Sequence, residues 1–374
     1  MSWALWITGL PGSGKSVLAR SAAAALRERG EPVVHLELDA LRKTLTPAPT
    51  YSATERELVY RALVYIAAAL TEAGVPVIVD ATGHRRAWRD LARATIARFA
   101  EVQLVCPLDV CREREARRAG GYAPPGIYAR AGRAGATVPG VDVAYEPALA
   151  PELTLDTARH DPAASVAAIL DLARGLARAP RAGGSPAAGG WAIWITGLPG
   201  SGKTTLAWGA AEALAERGIP IRVLDLADLR RFVLGDRPES DAARELVHRA
   251  LAGAAKLLTE AGVPVIVDAT ASRRAWREMA RQLIAHFAEV QLVCPRELCV
   301  DRERAVRWCL AAGGVARRGA PGTVAAPDVA PDYEHALAPE LTLRTDRQDA
   351  WSAIEAVLRL AHQLHRSASG ASHR

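Results

Sequence analysis

The stretch WALWITGLPGSGKS, residues 3–16, decides how the rest of the chain is read. Its apolar run ALWITGL has the length of a strand, Gly9, Gly12 and Gly14 permit a tight turn, and Lys15-Ser16 open an alanine-rich helix. The spacing G-x-x-x-x-G-K-[ST] has a physical basis. Glycines let backbone N–H groups curl around β- and γ-phosphate oxygens, and the following helix N-terminus adds positive potential. Lys15 supplies a mobile cation, and the Ser16 hydroxyl a ligand for Mg²⁺. A strand before the loop and a helix after it separate this motif from a chance glycine-rich turn.

The string returns as WAIWITGLPGSGKT from Trp191, with Gly197, Gly200, Gly202, Lys203 and Thr204 in the same order. Lys15 and Lys203 are 188 residues apart, and that offset also links Arg42 to Arg230, Arg56 to Arg244, Asp80 to Asp268, Cys111 to Cys299 and Tyr145 to Tyr333. A period this long is a duplicated domain, because solenoid repeats run to roughly 20–50 residues. Between the copies, ARAPRAGGSPAAGG has the composition of a flexible connector. The expected domains are therefore 1–176 and 191–374, joined by a linker at 177–190.

Within each copy, β-rich runs alternate with helical stretches: ALWITGL, a helix from Ser16, PVVHLEL, a helix across Glu55 to Ala73, PVIVDAT, then EVQLVCP. This pattern predicts an α/β protein with a P-loop NTPase fold, a parallel sheet with helices on both faces, in two tandem copies. The nearly all-apolar PVIVDA is expected to be the central strand. A length of 374 residues, 50% hydrophobic and 24% charged, suits two folded domains and excludes a mostly disordered chain. The formal charge of +6, carried mainly by arginine, suits nucleotide polyanions and does not call for nucleic acid. Five cysteines fit neither a disulfide framework nor a zinc site, which favours a reducing cytoplasm, and no targeting or membrane-spanning segment is evident.

Asp80 and Asp268 end the strands PVIVD, at the sheet edge where ligands of open α/β folds bind. They read as carboxylates that support Mg²⁺ or, more simply, as caps for the next helix. LELDALR places Asp39 and Arg42 one helical turn apart, either as a surface pair or as an acceptor-facing set. RRAWR at Arg85 to Arg89 reads as surface charge around a packed Trp, and Cys111 and Cys299 as buried small side chains.

Here the chain resembles the adenylylsulfate kinase family. The carriers are WITGLPGSGKS, LELDALR where the family has D-G-D-x-x-R, Tyr51-Ser-Ala-Thr-Glu-Arg56, PVIVDA, CRER at Cys111 to Arg114, and GIYARAGRAGATVPGVDVAYEP at 126–147. The resemblance implies transfer of the ATP γ-phosphate, with Mg²⁺, to the 3′-hydroxyl of adenylylsulfate in sulfate activation. By matching position it implies that Asp39 faces the acceptor hydroxyl, that Arg42 and Arg56 bind the phosphosulfate end, and that Tyr51 stacks near the acceptor adenine. Arg114 would contact the ATP adenine, with Arg302 kept for nucleotide in the second copy, and Arg130 and Arg133 would close over the phosphates as a lid. The family is commonly dimeric, so the two copies are candidates for a pseudo-dimer, with further oligomerisation open.

The chain departs from the family at Val59, where the family has Asn, and at Gly83-His84, where it has Ser-Pro; the lid also lacks the family's lysine pair. The second copy has Ala227 in place of Asp39, with Asp225 and Asp228 nearby, and Glu239 in place of Tyr51. It keeps Arg230 and Arg244, and its lid keeps Arg317 and Arg318. Its acceptor site is expected to be eroded while its nucleotide site persists. Two further readings stay open: a kinase for another hydroxyl, such as a polynucleotide 5′-end, a sugar or a small metabolite, and a nucleotide-sensing regulatory role for the second copy.

Overall fold

In the computed structural model every residue of β1 (Ala4–Thr8) and β3 (Val77–Asp80) is buried, the mark of strands covered by helices on both faces. The structure describes all residues except 119, 125, 134, 178–188, 312–332 and 372–374, and no side chains at 307–311 or 371. Most of the expected linker and the whole 312–332 stretch of the second copy's lid, with Arg317 and Arg318, lie outside the described residues. The chain divides into two units, Met1–Ser185 and Pro186–Arg374.

The first unit adds β2 (Val34–Glu37), β4 (Phe99–Val105) and β5 (Leu153–Asp156). All pairings are parallel, in the order β2-β3-β1-β4-β5. The middle strand is therefore β1, with β3 beside it. Both strands are wholly buried, so apolarity alone does not rank them, and the expectation that PVIVDA would be central is corrected to interior. The period-two alternation of β1 assigns its faces. Leu5 and Ile7 pack under α1 (Lys15–Glu28) and α6 (Pro162–Ala177). On the other face lie α3 (Ala53–Glu72) and α4 (Arg86–Thr95), which pack on each other. There Trp6, Tyr60 and Trp88 form a stack, with ring centroids 6.3 Å and 3.9 Å apart. Two shorter helices, α2 (Leu38–Leu45) and α5 (Leu108–Ala116), follow β2 and β4 directly.

The second unit repeats this plan with β6 (Ala192–Thr196), β7 (Arg222–Asp225), β8 (Val265–Asp268), β9 (Phe287–Val293) and β10 (Leu341–Arg344). The order is β7-β8-β6-β9-β10. Its helices are α7 (Lys203–Glu216), α8 (Leu226–Leu234), α9 (Asp241–Glu260), α10 (Arg274–Leu283), α11 (Arg296–Ala311) and α12 (Ala350–Ala371). Among the described residues, no helix is long and apolar enough to cross a membrane.

The reading of RRAWR as surface charge needs correction at its last residue. Trp88 is packed as expected, but Arg89 is fully buried. Its Nε donates to Glu101 Oε1 at 2.5 Å, and its other nitrogens to the carbonyls of Gly83 and Glu146. Arg277 does the same with Glu289, Ala271 and Glu334. The buried arginine thus ties α4 to the β4 strand and to the segment that follows the lid. Arg89→Met is expected to cost about 3–5 kcal/mol in urea unfolding, because Glu101 keeps only the more distant Arg93, 3.8 Å away, and the carbonyls of Gly83 and Glu146 lose their donor. The double change with Glu101→Met should recover only part of that loss, because the carbonyls of Gly83 and Glu146 still lack their donor.

His248 occupies the Tyr60 position and stacks on Trp276 at 3.6 Å. Burial pulls its pKa down to about 4. The folded state therefore resists a proton that the unfolded chain accepts near pH 6.5, so stability is fully present above 6.5 and is lost as pH falls toward 4. His248→Tyr, the residue the first unit uses, should leave the melting of the second unit unchanged at pH 8. It should raise stability by about 2 kcal/mol at pH 5. Calorimetry across that range checks it.

Candidate phosphoryl-transfer site

The loop between β1 and α1 owes its shape to a contact only glycine allows. Gly12 sits at φ 78°, and a Cβ there would stand 2.2 Å from the Cys111 carbonyl of α5; Gly200 meets Cys299 at the same distance. Cys111 and Cys299 are buried, as expected, and free. Gly14, the N-cap of α1, has no side-chain capping bond, so the first amides of the helix remain available to an anion. Lys15 is buried against this loop, and its Nζ donates to the Leu10 carbonyl at 2.9 Å, as Lys203 does to Leu198. Burial lowers the pKa of both lysines, against the pull of Asp80 on the first and Asp268 on the second. Each is a desolvated cation whose natural complement is a phosphate.

At the carboxyl edge, Asp80 pairs in register with Glu37 on one side and Ile7 on the other, directly below the loop. Among the described residues its Oδ2 is buried without a hydrogen-bond partner, 3.6 Å from His35 Nε2. In the second unit Val223 replaces His35, and Asp268 Oδ2 accepts from the Thr204 hydroxyl at 2.6 Å. Hydroxyl and carboxylate thus stand together as an oxygen donor set for a hard divalent cation, and the residues fit Mg²⁺.

Asp39 lies in the first turn of α2. Burial pushes its carboxyl upward, opposed by the nearby Lys15 and Arg42. Arg42 is buried, 3.0 Å from Glu55 Oε1. Glu55 also accepts from the backbone of Thr50 and Tyr51, while Ser52 caps α3 by accepting from Glu55 N. Tyr51, at φ 54°, turns its ring toward both arginines, 5.0 Å from Arg42 and 5.9 Å from Arg56. Arg56 donates to the Tyr51 carbonyl at 3.1 Å and to the Thr137 hydroxyl at 2.6 Å, joining this cradle to the lid. The structure thus brings Lys15, Asp39, Arg42, Tyr51 and Arg56 into one electrostatic neighbourhood.

In the second unit the matching carboxylates have other work. Asp225 caps α8 by accepting from Ala227 N and Asp228 N, and burial with Asp268 nearby raises its pKa to about 6. Asp228 is exposed and paired with Arg231 at 2.8 Å. Arg230 and Arg244 both face Glu239, at 3.6 and 3.4 Å.

The lid's Arg130 and Arg133 are exposed, Arg130 ending a short 3₁₀ turn. Asp142 fastens the lid by accepting from Gly132 N and Val138 N, each at 2.8 Å. Arg114 donates to the Thr157 carbonyl at 2.8 Å, and the Thr157 hydroxyl donates to Ser13 O of the phosphate loop at 2.9 Å. Arg302 makes the same bond to Thr345. Sequence reasoning missed Thr157, and also Tyr128, whose hydroxyl donates to the loop carbonyl of Pro11 at 2.8 Å. Their only sequence signal is a polar side chain at a strand end and in the lid. It missed Arg118 as well, which binds Glu115 and the carbonyls of Ala123 and Pro124, anchoring the base of the lid.

A desolvated lysine under uncapped helix amides, with a carboxylate and paired arginines at the same sheet edge, is what transfer of a phosphoryl group from ATP to an alcohol requires. The chain is a P-loop phosphotransferase of that class. A family model described as adenylylsulphate kinase matches residues 1–156 and again 189–361, and the chain belongs to that family. Among its relatives, a probable adenylyl-sulfate kinase of Archaeoglobus fulgidus is 37% identical over 164 residues, 43% of this chain and 99% of that protein. A probable bifunctional SAT/APS kinase of Sorangium cellulosum is 35% identical over 236 residues, 59% of this chain and 39% of that protein. Among solved structures, the APS kinase of Mycobacterium tuberculosis in complex with AMPPNP and APS is 32% identical, covering 46% of this chain and 96% of that one, with a TM-score of 0.37.

Proposed function

We propose that the first unit transfers the ATP γ-phosphate to the 3′-hydroxyl of adenylylsulfate, forming 3′-phosphoadenylylsulfate for sulfate activation. The observation that carries this is the acceptor cradle beside Lys15: one carboxylate and two arginines, in a chain whose relatives bear that activity by name. Asp39 takes the hydroxyl proton as the oxygen attacks, and its burial-raised pKa suits a general base. Arg42 and Arg56 hold the phosphosulfate charge, and the lid, tied to Arg56 through Thr137, excludes water so that transfer outruns hydrolysis. Ser16 with Asp80, and Thr204 with Asp268, would hold Mg²⁺, which neutralises charge on the β- and γ-phosphates.

The test is ATP consumption by the purified chain with adenylylsulfate, AMP, a 5′-hydroxyl oligonucleotide, gluconate or no acceptor. Stimulation by adenylylsulfate alone supports the proposal; turnover on a different member of the panel refutes it.

A further inference from the structure

The two units are built to the same plan, yet their arginine pairs meet carboxylates differently. In the first unit Arg42 is matched by Glu55, whereas Arg56 donates only to neutral oxygens, those of Tyr51 and Thr137, among the contacts described. The Tyr51 ring covers both guanidinium groups without cancelling their charge. Among the described residues Arg56 has no carboxylate within ion-pair distance, which leaves its guanidinium open to an incoming anion. In the second unit the offset of 188 residues puts Ala243 where Glu55 stands and Glu239 where Tyr51 stands. The carboxylate has moved from beside one arginine to between two: Glu239 Oε2 is 3.6 Å from Arg230 Nη1, and Oε1 is 3.4 Å from Arg244 Nε. Asp241 adds a second carboxylate, 3.5 Å from Arg244 Nη1. Among the described residues, each of the two arginines therefore has a carboxylate within ion-pair distance.

The nucleotide side of the same unit is intact. Lys203 is buried against its loop, Gly200 keeps its close approach to Cys299, Thr204 bonds Asp268, and Arg302 holds Thr345. What has gone is confined to the acceptor. Ala227 offers no carboxylate to a hydroxyl, Asp225 is committed to capping α8, and Asp228 points to solvent with Arg231.

We propose that Glu239 is a built-in anion that fills the acceptor cradle of the second unit, so that this unit takes ATP or ADP but refuses an anionic acceptor. This rests on the reading of the arginine pairs as acceptor-binding. Glu239 meets solvent-accessible arginines, and such ion pairs are individually weak. The refusal therefore comes from like charge facing the incoming anion as much as from occupied arginines.

Equilibrium dialysis of the full chain with labelled adenylylsulfate, at saturating ADP and Mg²⁺, reads this as a stoichiometry. The wild type should bind two ADP and one adenylylsulfate per chain. Glu239→Gln, which keeps the size and removes the charge, and Glu239→Tyr, which restores the residue of the first unit, should each raise adenylylsulfate to two while ADP stays at two. Two adenylylsulfate sites in the wild type, or one in both variants with ADP still at two, would overturn the proposal. No adenylylsulfate bound by the wild type would instead strike the acceptor reading itself.

Discussion

Lys15→Ala is expected to reduce turnover by on the order of 10²–10³-fold, the cost of removing one pre-aimed charge stabiliser from a transfer site, while Lys203→Ala leaves turnover almost unchanged. The two lysines have the same local setting: both are buried, both donate to a loop carbonyl at 2.9 Å, and burial lowers both pKa values. The difference arises downstream. Only the first unit sets a carboxylate, Asp39, beside its lysine and next to Arg42, with a further arginine, Arg56, whose hydrogen bonds go to neutral oxygens. Steady-state rates of the two single variants check it. A loss shared equally between them would mean that both units turn over, and would count against the asymmetry described above.

The second large effect is expected at Asp39. Asp39→Asn keeps the shape and the hydrogen-bonding reach of the side chain but cannot take a proton, so kcat should fall by about 10²–10⁴-fold, the usual contribution of general base catalysis. ATP affinity should stay near that of the wild type, because Lys15 keeps Asp80, the stronger of its two aspartate neighbours, and the backbone donors of the loop are untouched. A fall in ATP binding with kcat preserved would reassign Asp39 from acceptor chemistry to nucleotide positioning. The reverse change in the second unit, Ala227→Asp alone, should create no activity, because Glu239 still stands between Arg230 and Arg244.

Much of this was legible in the order of residues, and what was not has a common cause. Strand, glycine loop and helix follow one another within a few residues, so WALWITGLPGSGKS predicts the fold's nucleotide edge, and its return at Trp191 predicts the second unit. Ser52 and Glu55 likewise bear a helix-start signal three residues apart. Arg89 was misread because its partners, Glu101 and the carbonyl of Glu146, lie 12 and 57 residues away on other elements. A run of arginines around a tryptophan looks the same whether its last member is solvated or buried. The brace from Arg114 through Thr157 to Ser13 spans 144 residues at its longer step, and the parallel pairing of β1 with β4 and of β4 with β5 brings its ends together. Glu239 was visible as a substitution, but its consequence depends on two guanidinium groups meeting it in space.

The most direct test of the account follows the phosphorus. Wild-type chain with γ-labelled ATP, Mg²⁺ and adenylylsulfate should yield a nucleotide labelled on its 3′-oxygen, with ADP released in equal amount. Label appearing only as free phosphate, or on any other oxygen of the acceptor, would contradict it.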